Sequence, residues 1–209
     1  MTLTAVSPPI VIDDSFVHSE VTTVIVDDVG RLSGDSFFIK DPNGKVIISA
    51  AGPEYSTVSK KTITDAAGKT LYEIKGDIFT LKHAITGKRD GHEVFRVKFE
   101  APILANHKSK FEISLETKNG VHEIEMVGDW KSTDMNFVLK PSGQVIATAA
   151  KDHLSWGFEE HKDQIGNPIS HERVTTGFYV QIAPGIDVAA FSSICMCVAM
   201  INHSHHTNA

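Results

Sequence analysis

The chain has 209 residues and a mass of 22.8 kDa, is 41% hydrophobic, and carries a formal charge of −6 with an isoelectric point near 6.0. That length fits one large β domain or two small ones and is ample to bury a core. The acidic balance excludes a general nucleic-acid binder, which would be basic overall.

Residues 1–15 contain Pro8-Pro9, lack periodicity and read as a loose arm laid on the surface. They also lack the basic and long apolar segments of a signal peptide. Strands then follow one another. Thr22 to Val26 is β-branched throughout, Phe37 to Ile39 precedes a turn, and Val46 to Ser49 re-enters. Further strands are predicted over 57–62, 71–75, 79–84, 94–99, 111–117, 122–127, 137–140, 145–149 and 178–182. Phe95, Val97 and Phe99 alternate with Arg96 and Lys98, and Phe111, Ile113 and Leu115 with Glu112, Ser114 and Glu116. A period of two puts one face in a core and one in water. The turns DPNGKVI (41–47), DAAGKTL (65–71), KNGVHEI (118–124) and KPSGQVI (140–146) each place Gly where a hairpin needs positive φ. Hairpin after hairpin predicts an antiparallel meander or barrel.

The last element differs. From Val188 to Ile201 there is no charge, and Ser192 and Ser193 are the only polar side chains. A helix apolar on every side is buried on every side. Its fourteen residues span about 21 Å at about 1.5 Å each, short of the ~20 residues of a membrane crossing. Asp187 caps its start, and both serines bond back to carbonyls one turn earlier. Asp187, Phe191, Ile194, Met196, Val198 and Ile201 form the expected structural core. The economical arrangement is a sheet closed around this helix, which also removes exposed edges. The competing reading is a short membrane anchor. Cys195 and Cys197 point to nearly opposite sides of the helix, so they neither bridge nor share a metal, and free buried thiols suit a reducing, cytoplasmic compartment. The expected organisation is an arm over 1–15, one domain over 16–203 and a disordered tail over 204–209.

Catalytic constellations are missing from the sequence. His171-Glu172 does not continue to a second metal-binding His, and His203, His205 and His206 form a polar tail. His107 lies in a turn beside Lys108 and Lys110, and there is no Gly-x-Ser-x-Gly elbow and no phosphate-cradling glycine loop. Glu159-Glu160 and Asp13-Asp14 are adjacent pairs that point apart on a strand. Trp130 and Trp156 read as core or rim packing. A lipocalin-like carrier is excluded if the helix fills the lumen. The expectation is a non-enzymatic, monomeric module with no cofactor, no metal and no nucleic-acid partner.

The segment YVQIAPGIDVAAFSSICMCVAMIN (179–202), with VGDW (127–130) and the hairpin FFIKDPNGKVIIS (37–49), resembles the LURP-one-related family over roughly residues 18–203. The resemblance implies relationship to the tubby C-terminal domain and the phospholipid scramblases. It implies a mainly β fold, a closed antiparallel barrel of about twelve strands around one central hydrophobic C-terminal helix. It implies no established reaction; plant members are linked to pathogen defence, and tubby domains bind phosphoinositides through basic surface residues. Scramblases carry an acidic calcium-binding segment beside the last helix, whereas Asn202-His203-Ser204-His205-His206 follows here.

Charge is uneven along the chain. Residues 60–110 hold eleven Lys or Arg against six Asp or Glu. The resemblance implies that this basic middle faces an anionic membrane lipid such as a phosphoinositide; charge and alternation, not the resemblance, single out Lys82, Lys88, Arg89, Arg96 and Lys98 as the residues expected to carry it. Lys82, Arg96 and Lys98 alternate with apolar residues of strands 79–84 and 94–99, and Lys88 and Arg89 are placed on the turn between them. The protein is then cytoplasmic and peripheral at a membrane. The alternatives are a protein-interaction scaffold in stress or defence signalling, or a scramblase-like membrane protein anchored by the C-terminal helix.

Overall fold

A computed structural model describes residues 2–29, 36–52, 59–77, 84–100, 110–128, 134–151 and 178–207. The predicted positions Lys82, His107, Trp130, Trp156, Glu159, Glu160, His171 and Glu172 lie outside them.

Alternation of apolar and polar residues yields twelve strands. They are β1 (Thr22–Val29), β2 (Ser36–Lys40), β3 (Val46–Ala51), β4 (Ser59–Asp65), β5 (Thr70–Asp77) and β6 (Ala84–Arg89). These continue as β7 (His92–Glu100), β8 (Lys110–Thr117), β9 (Gly120–Gly128), β10 (Asp134–Lys140), β11 (Gln144–Lys151) and β12 (Phe178–Ile182). Each strand pairs antiparallel with the next, and β12 returns to β1 through Thr22↔Ile182 to Val26↔Phe178, so the barrel is closed. Closure leaves no unpaired strand edge.

The predicted turns fold as hairpins. Asp41 Oδ1 accepts from the amides of Asn43 and Lys45, and Asp65 Oδ1 from those of Ala67 and Lys69, all at 2.9 Å. Of the run expected at 79–84, residues 79–83 lie outside the described residues; β6 runs from Ala84 to Arg89 and so includes Lys88 and Arg89. Asp90 and Gly91, with φ of 52° and 81°, make a two-residue turn whose twist matches its strands and pairs Arg89 directly with His92. Lys88 and Arg89 are therefore strand residues, not turn residues.

The inward side chains of all twelve strands and those of helix α1 (Val188–Thr207) form one apolar core. Every residue from Val188 to Ile201 is at most 8% exposed. Phe191 meets Phe137 edge-on at 5.0 Å, which secures the upper turn of the helix against β10. A cavity of about 10 Å³ beside Cys195 and Val198 is large enough for one water at most. Gly87 leaves room for an aromatic ring, because a Cβ there would lie 2.1 Å from Phe95 Cζ. No helix among the described residues is long and apolar enough to cross a membrane.

Two boundaries differ from expectation. The helix continues to Thr207, so the tail expected from residue 204 is helical backbone up to that point. The N-terminal arm is not loose. Leu3, Val6 and Ile10 are buried in the core, because the barrel end around the helix N-terminus presents apolar surface and unpaired backbone groups that the arm covers.

Candidate functional site

The lumen offers no room for a ligand, which leaves the helix entrance and the outer wall as the places where chemistry can reside. At the entrance, Ala183-Pro184-Gly185-Ile186-Asp187 turns the chain from β12 into the helix. Gly185 takes φ +86°, and a Cβ there would sit 2.6 Å from the Val6 carbonyl oxygen. The arm is read by this turn along its backbone. Val6 N donates to Pro184 O and Ile10 N to Gly185 O, while Asp187 N donates to Ile10 O, at 2.9 to 3.0 Å.

Asp187 is fully buried and joins both elements. Its Oδ1 accepts from Ala190 N at 2.9 Å and caps the helix, as expected. Its Oδ2 accepts from Ile12 N at 3.1 Å and Asp13 N at 2.8 Å. Burial raises its pKa, and these three N–H donors oppose the rise. Asp13 in turn binds Arg89 at 2.8 Å. Its hydrogen bonds from Ser15 and then Arg89 hold its pKa down at about 2. Of the two serines, Ser193 Oγ donates to Ala189 O at 2.8 Å as expected. Ser192 Oγ is buried with no hydrogen-bond partner among the described residues, which corrects the expectation for that residue. Burial pushes both thiols well above the ordinary range, so neither is an activated nucleophile. No group of three or more metal-ligating side chains occurs among the described residues.

On the wall, the basic middle is largely neutralised. Arg89 is held by Asp13 of the arm. Arg96 donates Nε and Nη2 to the two oxygens of Glu93, both at 2.8 Å, and this pairing raises its pKa. Lys98 lies 2.7 Å from Glu100 and 3.7 Å from Glu112. From there an alternating lattice runs through Glu112, Lys110, Glu125 and Lys140 across β8, β9 and β10. Lys61 is buried, its ammonium 5.8 Å from the centre of the Phe37 ring. Lys88 is exposed and has no ion pair among the described residues.

Strand register brings together cations that the sequence reading did not single out. Lys60 lies directly opposite Lys75, Lys75 opposite Thr86, and Thr86 opposite Arg96. Lys88 stands in the adjoining row, between Glu73 and Glu93. Of the predicted set, Lys88 and Arg96 therefore share one face with Lys60 and Lys75, whereas Arg89 and Lys98 are drawn away to carboxylates. The missed signal was the alternation of Glu73 and Lys75 with Tyr72 and Ile74.

Comparison with known proteins gives two findings. The family model described as LURP-one-related matches residues 21–199. Comparison with curated proteins returned no match. Among solved structures, an X-ray structure of a protein from Arabidopsis thaliana is similar with a TM-score of 0.58 at 16% identity, covering 93% of this chain and 99% of that one.

Proposed function

The chain belongs to the LURP-one-related family, and from that premise we propose that it is a non-enzymatic binding module that docks on an anionic phospholipid surface through the outer wall of its barrel. The observation that carries the reading is the filled lumen. With Phe191, Ile194, Met196 and Val198 fully buried inside the closed sheet, ligand recognition falls to the exterior. There, among the described strand cations of the basic middle, Lys75 on β5 and Lys88 on β6 have no ion pair. A few cations near an anionic leaflet each contribute about 1 kcal/mol, enough for reversible, salt-sensitive attachment without insertion. A helix enclosed on all sides fits such peripheral attachment better than anchoring.

The test is sedimentation of the purified protein with phosphatidylcholine vesicles, with and without a phosphoinositide, at low and high salt. Pelleting only with the anionic lipid, reversed by salt, is the expected result. A protein that stays in the supernatant with every vesicle at low salt refutes the reading. The second reading is a protein-interaction scaffold. It is favoured by the mixed-charge lattice over β7 to β10, whose paired charges suit a partner of matching alternation rather than a uniformly negative surface.

A further inference from the structure

The outer face of β4 to β7 contains an arrangement that ordinary sheet energetics disfavours. Lys60 and Lys75 are direct cross-strand partners. Like charges in that relation repel, because Cβ atoms of opposed residues stand about 5 Å apart. Glu73 lies 3.4 Å from Lys60 and answers one of the two charges. Glu73 and Glu93 are the direct cross-strand partners of Lys88, yet neither forms an ion pair with Lys88 or Lys75 among the described residues, and the two lysines are diagonal neighbours, about 7–8 Å apart, on one face. Arg96 completes the row beside Thr86, its guanidinium turned onto Glu93. Four cations thus face two carboxylates, and both ammoniums at the centre are exposed.

We propose that Lys60, Lys75, Thr86, Lys88 and Arg96 form the docking surface for anionic phospholipid, with Lys75 and Lys88 as its centre and Glu73 and Glu93 as built-in competitors. The inference rests on the lipid-docking reading above and gives it a location. An anion set between Lys60, Lys75 and Lys88 relieves the like-charge contact, while the Thr86 hydroxyl supplies a further donor. The face spans four adjacent strands, about 14 Å at roughly 4.8 Å per strand. It is an open sheet surface, which suits several headgroups side by side in a membrane plane rather than one enclosed small molecule. The predicted residues Arg89 and Lys98 fall outside it: Arg89 is covered by Asp13 of the arm, and Lys98 lies between Glu100 and Glu112 at the start of the paired lattice.

The experiment compares four forms of the full chain in vesicle sedimentation with phosphatidylserine and with phosphoinositide. Lys75→Gln/Lys88→Gln removes the centre and is expected to lower vesicle partition about 30-fold, which is about 2 kcal/mol at 1.4 kcal/mol per decade. Glu73→Gln/Glu93→Gln removes the competitors and is expected to raise partition onto anionic vesicles while leaving pelleting without vesicles and with phosphatidylcholine alone unchanged, which separates the gain from aggregation. Lys110→Gln/Lys140→Gln, taken from the paired lattice, is expected to bind as the wild type does. If the wild type pellets and Lys75→Gln/Lys88→Gln pellets equally, this location is wrong while lipid docking stands. If the wild type never pellets, lipid docking itself fails. If soluble inositol phosphate or inorganic phosphate at equal phosphate concentration displaces the protein from vesicles completely, the surface is a free-anion site and the membrane assignment is overturned.

Discussion

Replacing Asp187 with Ala removes one carboxylate and leaves three N–H groups without an acceptor: Ala190 at the first turn of the helix, and Ile12 and Asp13 in the arm. Loss of a helix cap costs about 1 kcal/mol. Each amide left unsatisfied away from water adds about 1–3 kcal/mol, and the two arm amides, on half-buried residues, belong at the lower end. The sum is about 3 kcal/mol, reduced somewhat because the buried carboxylate no longer has to be desolvated. For a chain of this size 1 kcal/mol moves the melting temperature by about 2–4 °C, so a fall of about 6–12 °C is expected by calorimetry. Asp187→Asn separates the two roles. An amide offers one acceptor oxygen where the carboxylate uses two, so it restores either the helix cap or the arm bonds and recovers about half the loss. Hydrogen exchange identifies which, through the amides of Ala190 and Ile12. An Asp187→Ala protein melting within about 2 °C of the wild type, with both amides still protected, refutes the idea that this residue joins arm to helix.

Gly185→Ala is expected to cost about 2 kcal/mol or more, from the left-handed backbone and from contact with the Val6 carbonyl, and to raise exchange at the Ile10 amide selectively. Ile194→Asp places an unpaired charge at a fully buried site and is expected to cost several kcal/mol in denaturant melts; a native-like melt would argue against the enclosed helix. Asp13 has its folded pKa depressed to about 2, so the unfolded chain takes up its proton first. The stability it contributes is present above about pH 4 and is lost as pH falls toward the folded value, a slope that Asp13→Asn flattens in acid titrations. Asp187 acts in the opposite sense, since its raised pKa means that acidification protonates the native carboxyl first and adds stability. Glu125→Gln, which loses Lys110 and Lys140 together, is expected to cost about 1 kcal/mol at low salt and less at high salt.

The barrel and its contents were legible because both signals are periodic. Alternation in Phe95–Phe99 and Phe111–Leu115 fixes the sheet faces, and the unbroken apolar run from Val188 to Ile201 fixes what lies inside them. The arm was not legible. Leu3, Val6 and Ile10 follow no strand or helix period, because each fills a separate gap at the barrel end rather than a repeating face. That Lys88 and Arg89 belong to a strand was readable and was missed, since Asp90-Gly91 directly after them is the strongest short hairpin signal. How the cations group on the wall was not legible, for a different reason. Neighbourhood on a sheet is decided by register, which puts Lys60 against Lys75 and carries Lys98 to Glu100 and Glu112, and a count of charges in a sequence window contains no register.

The position of the helix in chain order has a consequence during synthesis. Strand β1 ends at Val29 and its closing partner β12 begins at Phe178. At about 5–20 residues per second, the ribosome takes roughly ten to thirty seconds to deliver that partner, and then the helix behind it. Until then the growing sheet has an open edge, and Phe95, Phe111 and Phe137 have no centre to pack against. The nascent chain therefore passes through a stage that resembles an unprotected strand array, which is where aggregation begins. Holding chaperones gain their purchase there, and a ribosome that stalls before residue 178 releases a sheet that cannot close.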